Sequence, residues 1–192
     1  FGHSASSGKM LRNAVGSLVF KAKDSKLSSR MLKVMSVVKN YDGTSLRGER
    51  NVATGLQTPE GKIALKGFDF NNRALMQSVF FAPYVLNTAT GEVVIEDLIP
   101  NEQLHFPSGS THFSLRSAFV NLDFETGVSE ITYSDVVNLP INNVMATQTL
   151  TPSAVPAGSG TQLYLLLVEF FQEINGVQYS LKNGAFNVLN IL

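Results

Sequence analysis

Apolar side chains recur every three or four residues near the start of the chain, a spacing that predicts two amphipathic helices. The first stripe runs over residues 10–22 and the second over residues 27–38. The join at Asp24 and Ser25 is short, so the two form either an antiparallel pair or one bent helix. Short helices bury such stripes poorly by themselves. We therefore expect them to pack on the rest of the chain or on a neighbouring molecule.

Turn-forming residues dominate the stretch that follows. Asp42-Gly43 and Pro59-Glu60-Gly61 are typical of turns and loops. This composition predicts a linker over residues 41–62, which separates a basic helical segment at 1–40 from an antiparallel β-sandwich domain at 63–192.

From Ile63 onward the pattern changes to the alternation typical of β-strands. A first strand is predicted over residues 63–70, a hairpin over 79–98 and a long alternating strand over 112–124. The nearly continuous apolar run at 163–171 predicts a central strand covered on both faces, with the N-terminal helices on one side.

The end of the chain carries two hairpin signals. Asn175-Gly176 and Asn183-Gly184 each lie between β-rich runs, and this pair of residues favours the positive φ angles of a type I′ turn. Together they predict a three-stranded meander from residue 163 to residue 191. With roughly seven to nine short strands in total, the chain is predicted to be α+β, with two N-terminal helices and an antiparallel immunoglobulin-like β-sandwich.

The charged residues are sorted along the chain, although the net charge is zero. Residues 1–66 contain twelve Lys or Arg and four Asp or Glu, a net charge of +8. Residues 67–192 contain three Lys or Arg and eleven Asp or Glu, a net charge of −8. We call these the basic and the acidic pole. The two poles can neutralise each other within one molecule, or attract a second copy or a polyanion.

Self-association is the function that this distribution favours. We expect a non-catalytic structural subunit of a surface layer, filament or particle, in which the basic segment of one copy meets the acidic sandwich of the next. The residues predicted to make this contact are charged or apolar members of the helical segment: Lys9, Arg12, Leu18, Phe20, Lys21, Lys23, Arg30, Met31 and Met35. The competing interpretation is a monomer whose poles pair internally.

No catalytic or cofactor motif is present, so neither an enzyme nor a bound cofactor is expected. His105 and His112 could approach Glu102 to bind a metal, but their spacing matches no established zinc pattern, and surface histidines are favoured. The sequence contains no nucleophile elbow, P-loop or dinucleotide fingerprint.

The composition of the chain also bears on glycan, nucleic-acid and membrane partners. A carbohydrate- or other ligand-binding module is the alternative function, with the five tyrosines as stacking groups in place of the absent tryptophan. A nucleic-acid partner is not expected, because the basic segment lacks interleaved aromatic residues and a zinc or helix-turn-helix motif. No apolar run reaches the roughly 18 residues of a transmembrane helix.

The run Ser7-Gly8-Lys9, followed by Asn13-Ala14-Val15-Gly16-Ser17, resembles the start of certain uncharacterised small Bacteroidota proteins. In those, a short basic helical segment precedes a β-sandwich that ends in hairpins, and residues 163–170 are similar in style. The resemblance implies a bacterial source and this architecture, but no activity. The chain begins with Phe1, as expected if a signal peptide or propeptide is removed or earlier residues precede it. An extracellular or cell-surface location is expected.

Overall fold

The structure, a computed structural model, describes residues 2–192. The helical elements are α1 (Gly2–Ala14), α2 (Gly16–Lys21), α3 (Leu27–Asn40), α4 (Val52–Gly55), α5 (Pro59–Leu65), α6 (Met76–Val79), α7 (Pro100–Gln103) and a 3-10 turn (Leu181–Gly184). The strands are β1 (Val85–Leu86), β2 (Val93–Leu98), β3 (His112–Leu122), β4 (Ser129–Tyr133), β5 (Val137–Pro140), β6 (Ala146–Leu150), β7 (Thr161–Ile174), β8 (Val177–Ser180) and β9 (Val188–Ile191).

Two long strands form the centre of the larger sheet. β3 and β7 pair antiparallel along the whole of β3, from His112 opposite Phe171 to Leu122 opposite Thr161. Each outer side then consists of two short strands, with β4 and β5 along β3, and β8 and β9 along β7. A smaller antiparallel sheet has the order β1-β2-β6.

Alternate side chains of the central strands face two separate cores. On one face, Val120 and Leu165 pack in a cluster with Leu11 and Met31 of the helices. On the opposite face, Phe113 and Leu166 pack with residues of β2 and β6. The molecule therefore has three layers: a helical layer, the larger sheet and the smaller sheet. The helices and the smaller sheet lie on opposite sides of the larger sheet.

These features confirm an α+β chain with antiparallel sheets. The long strand predicted at 112–124 is β3, and the apolar run at 163–171 is a central strand covered on both faces, with helices on one of them. The stretch predicted as the first helix is divided between α1 and α2, because Val15 leaves the helical conformation (φ −109°, ψ 25°) just before Gly16, a poor helix former.

The strand predicted at 63–70 is wrong, because α5 extends to Leu65. Thr58 caps this helix, since its hydroxyl oxygen accepts a hydrogen bond from the Gly61 amide at 3.0 Å, and Pro59 occupies the first helical position. In this stretch only Asp69 makes a strand-like bridge, opposite Asn190.

The two Asn-Gly pairs behave differently. Asn175 and Gly176 have positive φ angles of 52° and 78° and connect β7 to β8, as predicted. The predicted second hairpin at Asn183-Gly184 is wrong. There the 3-10 turn carries the chain across to β9, which pairs with β7 rather than with β8.

Residues 41–62 contain α4 and the first part of α5. Val52 and Leu56 are buried in the same cluster as the long helices, and α4 passes close to Val38 of α3. No helix within residues 2–192 combines the length and the apolar character needed to cross a bilayer.

Candidate self-association surface

The helical layer presents a basic surface to solvent. Nine of the twelve basic residues in the first 66 positions are exposed, on the helices or their connections: Lys9, Lys21, Lys23, Lys26, Lys33, Arg47, Arg50, Lys62 and Lys66. Two of the four acidic residues in this stretch do not offset them at the surface. Asp42 is fully buried, and Asp24 is paired with Arg30. We call this face the basic surface.

An acidic surface lies on the other side of the molecule. Val93 and Ile95 of β2 are buried against the larger sheet, and the neighbouring Glu96 and Asp97 are exposed. Glu102 of α7 is exposed as well. We call Glu96, Asp97 and Glu102 the acidic surface. Because the smaller sheet and the helices lie on opposite sides of the larger sheet, the acidic and basic surfaces belong to different outer layers.

The two poles hardly neutralise each other within the molecule. Among residues 2–192, one ion pair joins the basic segment to the acidic one, between Lys21 Nζ and Glu169 Oε1 at 3.1 Å. The Arg30–Asp24 pair lies within the basic segment, and His112–Glu173 lies within the acidic one. Most of the charge on both surfaces therefore faces solvent.

Three residues predicted to take part in self-association lie inside the protein. Leu18 is 3% exposed, and Met31 and Met35 are fully buried. All three belong to the core beneath the larger sheet. Of the two alternatives expected for the apolar stripes, the rest of the chain or a neighbouring molecule, it is the chain's own sheet that covers them and buries their area.

Other predicted residues do lie at the surface. Phe20 is 80% exposed, and Lys23 Nζ lies 5.7 Å from the centre of its ring. Lys9 is also exposed, and Arg12 is half-buried. Lys21 is partly exposed while its ammonium group binds Glu169. Aromatic side chains are enriched in contacts between proteins, so the exposed ring of Phe20 is suited to such a contact.

Arg30 instead ties α3 to the loop that follows α5. Its guanidinium donates hydrogen bonds to the carbonyl oxygens of Asp69 at 2.7 Å and Phe70 at 3.0 Å, and also to the Asp24 carboxylate. It lies over the ring of Phe68 at 5.2 Å. Burial opposes ionisation of Asp24, but hydrogen bonds from the Asn72 amide and from Arg30 lower its pKa below the ordinary value of 3.8.

We expect Arg30→Ala to lower the free energy of unfolding by about 2 kcal/mol, because two backbone carbonyl groups and a carboxylate lose a charged donor. Lys33→Ala, on the exposed side of the same helix, is the control and should change it by less than about 0.5 kcal/mol. Urea unfolding followed by circular dichroism measures both. Equal stabilities of the two variants would contradict this structural role for Arg30.

His105 and His112 do not come together with Glu102. His105 is exposed, and His112 Nε2 lies 3.6 Å from Glu173 Oε2 rather than beside Glu102. Within residues 2–192, no group of three or more acidic or histidine side chains is placed to hold a metal ion.

The comparisons with known proteins add no relative. The chain matches no protein-family model, and searches of curated proteins and of solved structures find no match either.

Proposed function

We propose that the protein is a non-catalytic structural subunit that associates with further copies of itself in a surface layer, filament or particle. The observation that carries the proposal is the placement of the basic and acidic surfaces on opposite outer layers. A single ion pair between the two charge segments, within residues 2–192, leaves both surfaces available to a partner.

Opposite surfaces of opposite charge favour a head-to-tail contact. Such a contact is heterologous, so each added copy presents the same free surfaces again and the assembly propagates. The charges supply orientation and encounter rate. Because Leu18, Met31 and Met35 are buried, the apolar part of the contact falls to exposed side chains such as Phe20. An interface of this composition should weaken as salt screens the charges.

The second proposal is a ligand-binding module that stacks tyrosine rings on a glycan. Tyr133 and Tyr164 are engaged within the protein, by Arg116 at 4.4 Å and by Phe119 at 4.7 Å. Tyr41 and Tyr179 are 40% and 56% exposed and are the rings best placed for such stacking. The immunoglobulin-like type of the sandwich, the bacterial source and the extracellular or surface location are further parts of our proposal.

Sedimentation velocity tests the assembly. We expect the protein to form large species in about 20 mM salt and to dissociate in about 500 mM salt, where the screening length is a few ångströms. Lys26→Glu/Lys33→Glu should abolish assembly, because it reverses two exposed charges of the basic surface, one just before α3 and one within it. The control Arg73→Glu/Lys182→Glu changes the net charge equally, but outside the basic surface, and should assemble normally.

A charge exchange makes the test specific. Glu96→Lys/Glu102→Lys should also remain monomeric alone, because its acidic surface is reversed. Mixed in equal amounts with Lys26→Glu/Lys33→Glu, it should assemble again, since each contact then joins opposite charges. A wild-type protein that stays monomeric at high concentration in low salt would overturn the proposal, as would a mixture that does not assemble.

A further inference from the structure

A separate feature of the surface is an open cleft between α5 and the beginning of β7. Its floor is apolar, and the side chains that form it are buried: Leu56, Leu65, Leu163 and Ile191. The volume of this apolar part is about 170 Å³. The exposed side chain of Ile63 stands at the edge of the cleft.

A more polar hollow continues from the apolar one. Five residues line both parts: Leu56, Lys62, Thr161, Gln162 and Tyr164. The far wall is rigid, because the Asn121 amide donates to the Gly158 carbonyl at 2.9 Å and accepts from the Gly160 amide at 2.9 Å. The Tyr164 hydroxyl donates to the Thr88 carbonyl at 2.6 Å. These polar groups are therefore already satisfied within the protein.

Lys62 and Lys66 differ from those groups because their side chains are exposed and form no ion pair with any of residues 2–192. They are four residues apart at the end of α5, a spacing that places them on one side of the helix. Both line the apolar part of the cleft. Two neighbouring ammonium groups beside an apolar floor attract an anion that carries an apolar group.

We propose that this cleft binds a small amphipathic anion, with its apolar group on the leucine floor and its carboxylate or phosphate at Lys62 and Lys66. A cavity of about 150 Å³ holds a benzene ring, so the apolar part suits a group of about six carbon atoms. The site shares Lys62 and Lys66 with the basic surface, whereas its floor residues belong to neither the basic nor the acidic surface. Binding is therefore tested on the monomer.

Titration of the ¹⁵N-labelled full chain followed by NMR tests this site, at a protein concentration where sedimentation shows a monomer. The probes are octanoate, octyl phosphate, 1-octanol and acetate. Octanoate should shift the amide signals around Leu56, Leu163 and Ile191 in a saturable manner. Octanol should bind at least about fivefold more weakly because it lacks the charge, and acetate should not saturate. Comparing octanoate with octyl phosphate identifies the preferred anion.

Lys62→Gln/Lys66→Gln should weaken octanoate binding about tenfold, whereas Lys26→Gln/Lys33→Gln, with the same loss of charge away from the cleft, should leave it unchanged. The spectra also report whether each variant is folded. The proposal is overturned if no saturable shift occurs below about 10 mM octanoate. Octanol that binds as tightly as octanoate would contradict the role of Lys62 and Lys66. Acetate that causes the same saturable shifts as octanoate would contradict the role of the apolar floor. Either result overturns the proposal.

Discussion

Replacing Gly55 with Ala is expected to destabilise the protein by about 3 kcal/mol. Gly55 ends α4 where this helix meets α3. A Cβ atom there would lie 2.2 Å from the Val38 carbonyl oxygen and 3.0 Å from its carbon. These are backbone atoms inside a 14-residue helix, so they cannot rotate away as a side chain would. Relief of the clash requires α4 to separate from α3, which opens the core around Val52.

Two other helical glycines are matched controls. At Gly16 of α2 a Cβ atom would meet nothing within 4 Å, so Gly16→Ala should stabilise the protein by about 0.5 to 1 kcal/mol through helix propensity. At Gly8 of α1 the Cβ atom would lie 2.9 Å from Met31 Cγ, a flexible side chain, and the effect should be intermediate. Urea unfolding ranks the three variants. A Gly55→Ala protein as stable as wild type would contradict the close approach of α4 and α3.

The sequence predicted both central strands well. Residues 112–124 were predicted from their alternation, and residues 163–171 from a nearly continuous apolar run, because a strand buried on both faces requires apolar side chains in both phases. It predicted α5 incorrectly. Ile63 and Leu65 alternate as in a strand, but Thr58 and Pro59 provide a helix cap and first turn upstream of them. If Thr58 and Pro59 are interpreted only as turn residues, the start of the helix is missed.

The second Asn-Gly pair does not form the predicted hairpin, for a different reason. Asn183 and Gly184 do adopt positive φ angles, as their chemistry favours. However, β7 has 14 residues and β8 and β9 four each, so both short strands fit along the same side of β7. Local turn chemistry specifies the reversal of the chain but not the partner of the next strand. That choice depends on tertiary packing.

The candidate surfaces show the same limit. The opposite charges of the two halves are evident from composition, but the position of Glu96, Asp97 and Glu102 on a different outer layer from the helices follows from the three-layer arrangement. A helical stripe such as Leu18, Met31 and Met35 looks the same in sequence whether its own sheet or a neighbour covers it. The cleft combines residues near position 60 with Leu163 and Ile191, about a hundred or more positions away, and no local pattern marks it.

Asp42 gives the second large effect, because its buried carboxylate organises the loop between α3 and α4. The side chain is fully buried. One oxygen accepts hydrogen bonds from the Thr44 amide and hydroxyl and from the Ser45 amide, and the other accepts from the Asn51 amide at 3.0 Å. Asn51 in turn caps α4, since its side chain accepts from the Thr54 amide at 2.7 Å. Asp42 therefore fixes the start of α4 against α3.

We expect Asp42→Asn to lower the melting temperature by several degrees at pH 7, because an amide NH₂ replaces one of the two accepting oxygens. Burial alone would raise the pKa of Asp42, but hydrogen bonds from Ser45, Asn51 and Thr44 outweigh it and hold the pKa below its ordinary value of 3.8. A lowered pKa stabilises the folded state above the unfolded-state pKa of about 3.9, and this contribution is lost as the pH falls through the folded-state pKa. The difference in melting temperature between wild type and variant should therefore be constant between about pH 7 and pH 5 and shrink below about pH 4.

Asp135→Asn, at an exposed position, is the control and should melt like wild type at every pH. A difference for Asp42→Asn that stays constant down to about pH 2 would show that the ionised carboxylate is not what holds this loop.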